Sequence, residues 1–105
     1  LFAVWPHMHQ LATHQKVELT RMGTTTLLHN LDFHFAEQTY YLKTPEVLVE
    51  MNDRIRVTCT YINTTGAAVT FGDSSNQEMC FSGFYRYPAL NDGLAKCTDT
   101  GGFGF

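Results

Sequence analysis

The stretch RIRVTCTY, residues 54–61, alternates polar and apolar side chains without a break. In an extended chain Ile55, Val57, Cys59 and Tyr61 then share one face, and the intervening Arg and Thr residues the other. A period of two cannot be seated on a helix, whose apolar stripe recurs every three or four residues. The same short period recurs along the chain, in runs rich in β-branched and aromatic residues that Gly, Asn, Asp or Pro interrupt. It predicts eight strands, over 2–11, 15–21, 25–28, 39–42, 46–50, 54–61, 68–72 and 79–87. With turn signals roughly every ten residues, the pattern implies an all-β fold, an antiparallel β-sandwich of the jelly-roll type. NTTG at 63–66 reads as a hairpin turn, GDSSNQ at 72–77 as a longer loop, and NDG from Asn91 as another turn. Cys59, on the apolar face of its strand, points at the core.

A chain of 105 residues that is 44% hydrophobic and 16% charged suits one packed domain, placed here over residues 1–97. The remaining segment, TDTGGFGF at 98–105, reads as a flexible Gly-rich tail. Seven Lys plus Arg against ten Asp plus Glu leave a net charge of -3 with no basic run, which argues against a nucleic-acid partner. No stretch approaches the ~18 apolar residues of a membrane span, and no secretory leader is visible. The chain opens on Leu1, and LFAVW already reads as the inside of a strand, so a segment cut from a longer protein is expected. Three cysteines (Cys59, Cys80, Cys97) with no C-x-x-C pair set aside the redox-motif and zinc-ribbon readings and suggest one disulfide plus one further thiol.

The chemistry lies in WPHMHQLATH, residues 5–14. On a strand His7 and His9 project to one face with Cα atoms about 6.6 to 6.8 Å apart, a spacing at which two imidazoles converge on one ion. His14 lies an odd number of residues further on and leaves that face unless the strand breaks between. A third ligand has to come from elsewhere, and Met79, His29, His34, Asp32 and Glu78 are the candidates. Met79 stands out in QEMC, at the start of an aromatic strand. Two imidazoles with a thioether favour copper, Cu(I) above all, because a soft sulfur does little for zinc or magnesium. Backbone carbonyls, Gln10, His14 or Gln38 are available to orient the rings.

PHMHQLATHQKV, DRIRVTCTY, FGDSSNQEMC and YRYP, in that order and spacing, resemble the C-terminal copper domain of the ascorbate-dependent type II copper monooxygenases. That family includes the peptidylglycine α-hydroxylating and dopamine β-type enzymes, and the PHMH form is most similar to its bacterial members. The resemblance implies that His7, His9 and Met79 bind the copper at which O2 is activated and a substrate C–H bond is hydroxylated. It also implies a disulfide between Cys59 and Cys80, a bond from Cys97 to a cysteine upstream of the H-x-H, and an upstream copper domain in the same chain that takes electrons from ascorbate. An oxidising, extracytoplasmic setting follows from the disulfide.

The peptide-amidating branch holds its substrate's carboxylate with an arginine before the H-x-H and an asparagine and a tyrosine after E-M-C. This chain has Trp5, Phe81 and Gly83 at those places. An apolar or aromatic small-molecule substrate is therefore expected rather than a peptide carboxylate. The other functional readings are a non-catalytic copper-binding or copper-delivery domain using the same three ligands, and a plain β-sandwich interaction module.

Overall fold

The computed structural model describes residues 1–87, in which the chain builds two three-stranded sheets. The strands are β1 (Ala3–Met8), β2 (Ala12–Arg21), β3 (Thr24–Asp32), β4 (Tyr41–Leu42), β5 (Arg54–Tyr61) and β6 (Cys80–Tyr85). One sheet runs β4-β1-β6, the other β3-β2-β5, and every pairing within them is antiparallel. A single 3-10 turn, Phe35–Glu37, interrupts the extended chain. The all-β reading stands, as does the alternation of β5, whose side chains run exposed and half-buried in strict turn.

Six strands stand among the described residues where about eight in a jelly roll were expected, and the two missing ones have physical reasons. The 46–50 segment has no strand neighbour; it is held by Leu1, whose nitrogen donates to the Val47 carbonyl at 2.9 Å and whose carbonyl accepts Val47 N–H at 2.8 Å, by Arg21 Nη2 donating to the Leu48 carbonyl at 2.8 Å, and by Glu50 N–H donating to Asp53 Oδ2 at 2.7 Å. The 68–72 segment makes one isolated bridge, Phe71 with Glu78, and that bridge is parallel. The first expected strand also stops early. β1 ends at Met8, and the chain turns through residues 9–11 to enter the other sheet as β2. The 97/98 domain boundary, the tail, the turn at Asn91 and Cys97 lie outside the described residues.

β2 and β3 are joined by Met22 and Gly23, both with positive φ (51° and 83°), the twist a two-residue hairpin requires. β3 is longer than its apolar pattern suggests because a bulge opposite Val17 and Glu18 leaves Leu28 between the paired positions Leu27 and His29. Consecutive Leu28 and His29 are thereby both buried. Between the sheets Val4, Val17, Leu19 and Leu28 form one apolar cluster, with Ile55, Val57 and Phe84 packed against it. Met8, Ala12 and Phe33 form a second, closed over by Phe35, Cys59 and Tyr61. The Cys59–Cys80 disulfide is present and ties β5 of one sheet to β6 of the other beside this second cluster.

Candidate metal centre

Val4, Pro6 and Met8 are buried on the inner side of β1, which leaves Trp5 and His7 on the outer side. Across the ladder His7 opposes Phe81 and Trp5 opposes Gly83, so all four share the outer face of the β4-β1-β6 sheet. The His7 ring stacks on Phe81 (centroids 6.4 Å, planes 22° apart) and Trp5 leans on His7 at 5.8 Å. His9, the first residue beyond the strand, is only 5% exposed, and its ring meets that of His7 edge-on at 5.6 Å. The two imidazoles thus come together, and Phe35 closes over His9 at 6.1 Å.

The hydrogen bonds settle the tautomers. His9 Nδ1 lies 3.0 Å from the Gln77 carbonyl, which can only accept, so that nitrogen carries the proton. His7 Nδ1 lies 3.1 Å from Gln38 Oε1, and the amide is oriented by Nε2 donating to the Phe35 carbonyl at 3.1 Å. His7 Nδ1 is therefore the donor too. In both rings the proton sits on Nδ1 and the lone pair on Nε2, as a ligating imidazole held by an outer partner requires. Gln38 was visible in the sequence as one of several possible partners. The Gln77 carbonyl was not, because a backbone acceptor has no side-chain signature.

Met79 is 8% exposed and stands directly after the segment that grips His9. Its carbonyl accepts the Tyr61 hydroxyl at 2.6 Å. Burial, reinforced by the negative charge of Glu78, pushes the Tyr61 phenol up to about 12, so it stays a donor throughout the physiological range. The Glu78 carboxylate accepts two backbone N–H groups, those of His9 at 3.1 Å and Leu11 at 2.9 Å. Glu78 and Met79 also line an open, mostly apolar recess of about 310 Å³ with Leu11, Tyr61, Val69 and Phe71.

The other candidates lie elsewhere. His14 is on β2, in the opposite sheet, with Nδ1 on Asp32 at 3.0 Å and Nε2 on Asn30 at 2.6 Å; the Asp32 bond raises its pKa. His29 is buried against Tyr41, ring centroids 4.8 Å apart, and His34 is exposed at the start of the 3-10 turn. Among the described residues no three His, Cys, Asp or Glu side chains converge as a metal-binding group. Glu78, by contrast, lies beside the histidine pair, with its two carboxylate oxygens taken by the His9 and Leu11 N–H groups.

No solved structure matches the chain significantly. A family match covers residues 1–102, under the description copper type II ascorbate-dependent monooxygenase, C-terminal domain. With nearly the whole chain inside that match, and the H-x-H pair, the E-M-C segment and the inter-sheet disulfide in place, the protein belongs to the C-terminal domain family of the type II copper monooxygenases.

Proposed function

We propose that His7, His9 and Met79 hold one copper ion per chain, and that the domain is the oxygen-activating, substrate-hydroxylating half of a two-copper monooxygenase. The observation that carries this is the pair of neighbouring imidazoles with both Nδ1–H groups engaged and both Nε2 lone pairs left for a metal. The donor set suits the ion: two borderline nitrogens and one soft thioether favour Cu(I) over zinc or magnesium. Bound copper supplies one-electron exchange with O2, from which one oxygen atom enters a substrate C–H bond.

The chain's own residues do the rest. Gln38 and the Gln77 carbonyl fix the two rings, so neither has to reorient when the metal changes charge. Phe35 and Phe81 flank the imidazoles with apolar rings. Trp5, Phe81 and the bare backbone of Gly83 offer contact surface and no charge beside His7, which fits an apolar or aromatic substrate. Inserting one oxygen atom and reducing the other to water takes two electrons from outside. A single copper held by His7, His9 and Met79 would supply one electron at a time, so the proposed reaction would draw its second electron from an upstream copper domain served by ascorbate. The disulfide supports an extracytoplasmic setting.

X-ray absorption of the Cu(I)-loaded chain tests the ligand set: a sulfur scatterer is expected, and it must vanish in Met79→Ala. Persistence of the sulfur would exclude Met79. The single tryptophan provides a second readout, since Cu(II) at His7 is expected to quench Trp5 fluorescence stoichiometrically. Joined to the upstream domain, the protein should convert O2 consumption into hydroxylated product. Copper binding with no oxidation by either form would move the reading to copper delivery.

A further inference from the structure

The ladder between β1 and β6 ends at the pair Met8 and Cys80. Continued by one antiparallel step it would set His9 opposite Met79, but β1 stops and the chain turns toward the other sheet. The two residues therefore lie where a ladder runs out, and strand ends fray when nothing replaces the missing bonds. Glu78 supplies the replacement. One carboxylate oxygen takes the N–H of His9 and the other that of Leu11, on either side of the turn, while the adjoining Gln77 carbonyl takes the His9 ring proton. Three bonds from two consecutive residues thus fasten the histidine turn to the chain just before Met79.

The far side of this segment is equally fixed. Glu78 N–H donates to Thr70 at 2.9 Å, Gly72 N–H donates to the Glu78 carbonyl at 3.1 Å, and Gln77 N–H donates to Ser74 at 2.9 Å. The Gln77 side chain lies directly over Gly72, where a Cβ would collide with it. The loop before Met79 is thus anchored independently of the histidines, and the Glu78 carboxylate, with the Gln77 carbonyl, is its link to them.

From this geometry we infer that Glu78 is a positioning residue that sets the separation of His9 from Met79 and so decides whether the thioether reaches the metal. The inference rests on the ligand reading proposed above. Glutamine at 78 can accept at one oxygen only and would turn an NH2 group toward a backbone N–H, which cuts one arm of the clamp at unchanged size. Aspartate keeps both acceptors and the charge but is one methylene short.

The experiment uses the 105-residue chain carrying Glu78→Gln or Glu78→Asp, with Met79→Ala and wild type as references. Metal-free hydrogen exchange follows the His9 and Leu11 amides, and X-ray absorption with competition titration follows Cu(I). Wild-type sulfur that survives Met79→Ala would sink the ligand reading itself, whatever Glu78 does. If that sulfur depends on Met79, both Glu78 variants should fold, exchange the His9 or Leu11 amide at least ~10-fold faster, lose or weaken the sulfur scatterer while keeping the two nitrogens, and bind Cu(I) ~10- to 100-fold more weakly. A full sulfur shell in Glu78→Asp with weak binding only in Glu78→Gln would reduce the effect to charge and overturn the inference. So would wild-type copper spectra in both, and so would failure of both to fold, which would make Glu78 a residue of the fold alone.

Discussion

In the β3-β2-β5 sheet eight residues of β2 pair with each neighbour, whereas in the β4-β1-β6 sheet β1 pairs with β6 over six residues and with β4 over two. The larger sheet satisfies its backbone by ladder and places Val17, Leu19 and Leu28 in the core. The smaller one breaks off where its chemistry begins. Beyond Met8 the work of the ladder passes to side chains, with Glu78, Gln38 and Tyr61 supplying the bonds. Regular pairing makes a sheet stable and uniform; ending it early exposes backbone and ring groups that individual side chains can then orient. Stability and chemistry should accordingly respond to different substitutions.

The largest effect expected is on stability, at the inner side of β1. Met8 is fully buried, so Met8→Ala should cost about 2–5 kcal/mol in denaturant unfolding. His7→Ala, one residue away on the outer side, should change stability by less than about 1 kcal/mol while removing one of the proposed copper ligands. Equal losses from the two would break the division between the faces. Next comes the staple between the sheets. The disulfide closes a loop of sequence separation 21, and replacing Cys59 and Cys80 together by alanine should lower unfolding free energy by about 3 kcal/mol.

Acid should act third, and on the sheet edges. Burial, with smaller contributions from the Lys43 and His14 charges, lowers the His29 pKa to about 4. The neutral ring is the folded form, so its contribution is complete above the unfolded value near 6.5 and fades as pH falls from there toward 4. Wild type should lose on the order of 2 kcal/mol over that window, and His29→Leu should flatten it. A second, separate decline belongs to Asp53, held near 2 by its bond from Arg21, Nη2 to Oδ2 at 2.6 Å. Its contribution is present above the ordinary carboxylate range and disappears as pH falls to about 2. The smallest stability change is expected of the half-exposed Trp5, where Trp5→Ala should shift unfolding by about 0.5 kcal/mol or less and, under the proposed function, act mainly on turnover of aromatic substrates.

Legibility in the sequence followed the same line between regular and irregular. β5 could be read residue by residue, since a strand with one half-buried side writes its period into its composition. β3 could be read only to Leu28, because the bulge buries two neighbours in succession and destroys the alternation just where His29 and Asp32 follow. Val47 and Val49 looked like strand residues, yet their segment is held by bonds to Leu1 and Arg21, partners no local pattern can announce. The H-x-H pair was conspicuous; what holds it was not. A carboxylate that accepts backbone N–H groups 67 and 69 positions away leaves no periodic trace, and Glu78 entered the sequence reading only as one of several possible ligands.

The indole of Trp5 rests on Gly83 so closely that a Cβ there would come within 2.9 Å of its ring. The two positions are therefore coupled by packing. A side chain added at 83 would have to displace the Trp5 indole, and removing the indole would leave bare backbone in its place. Redesign of the face beside His7 should therefore treat positions 5 and 83 together.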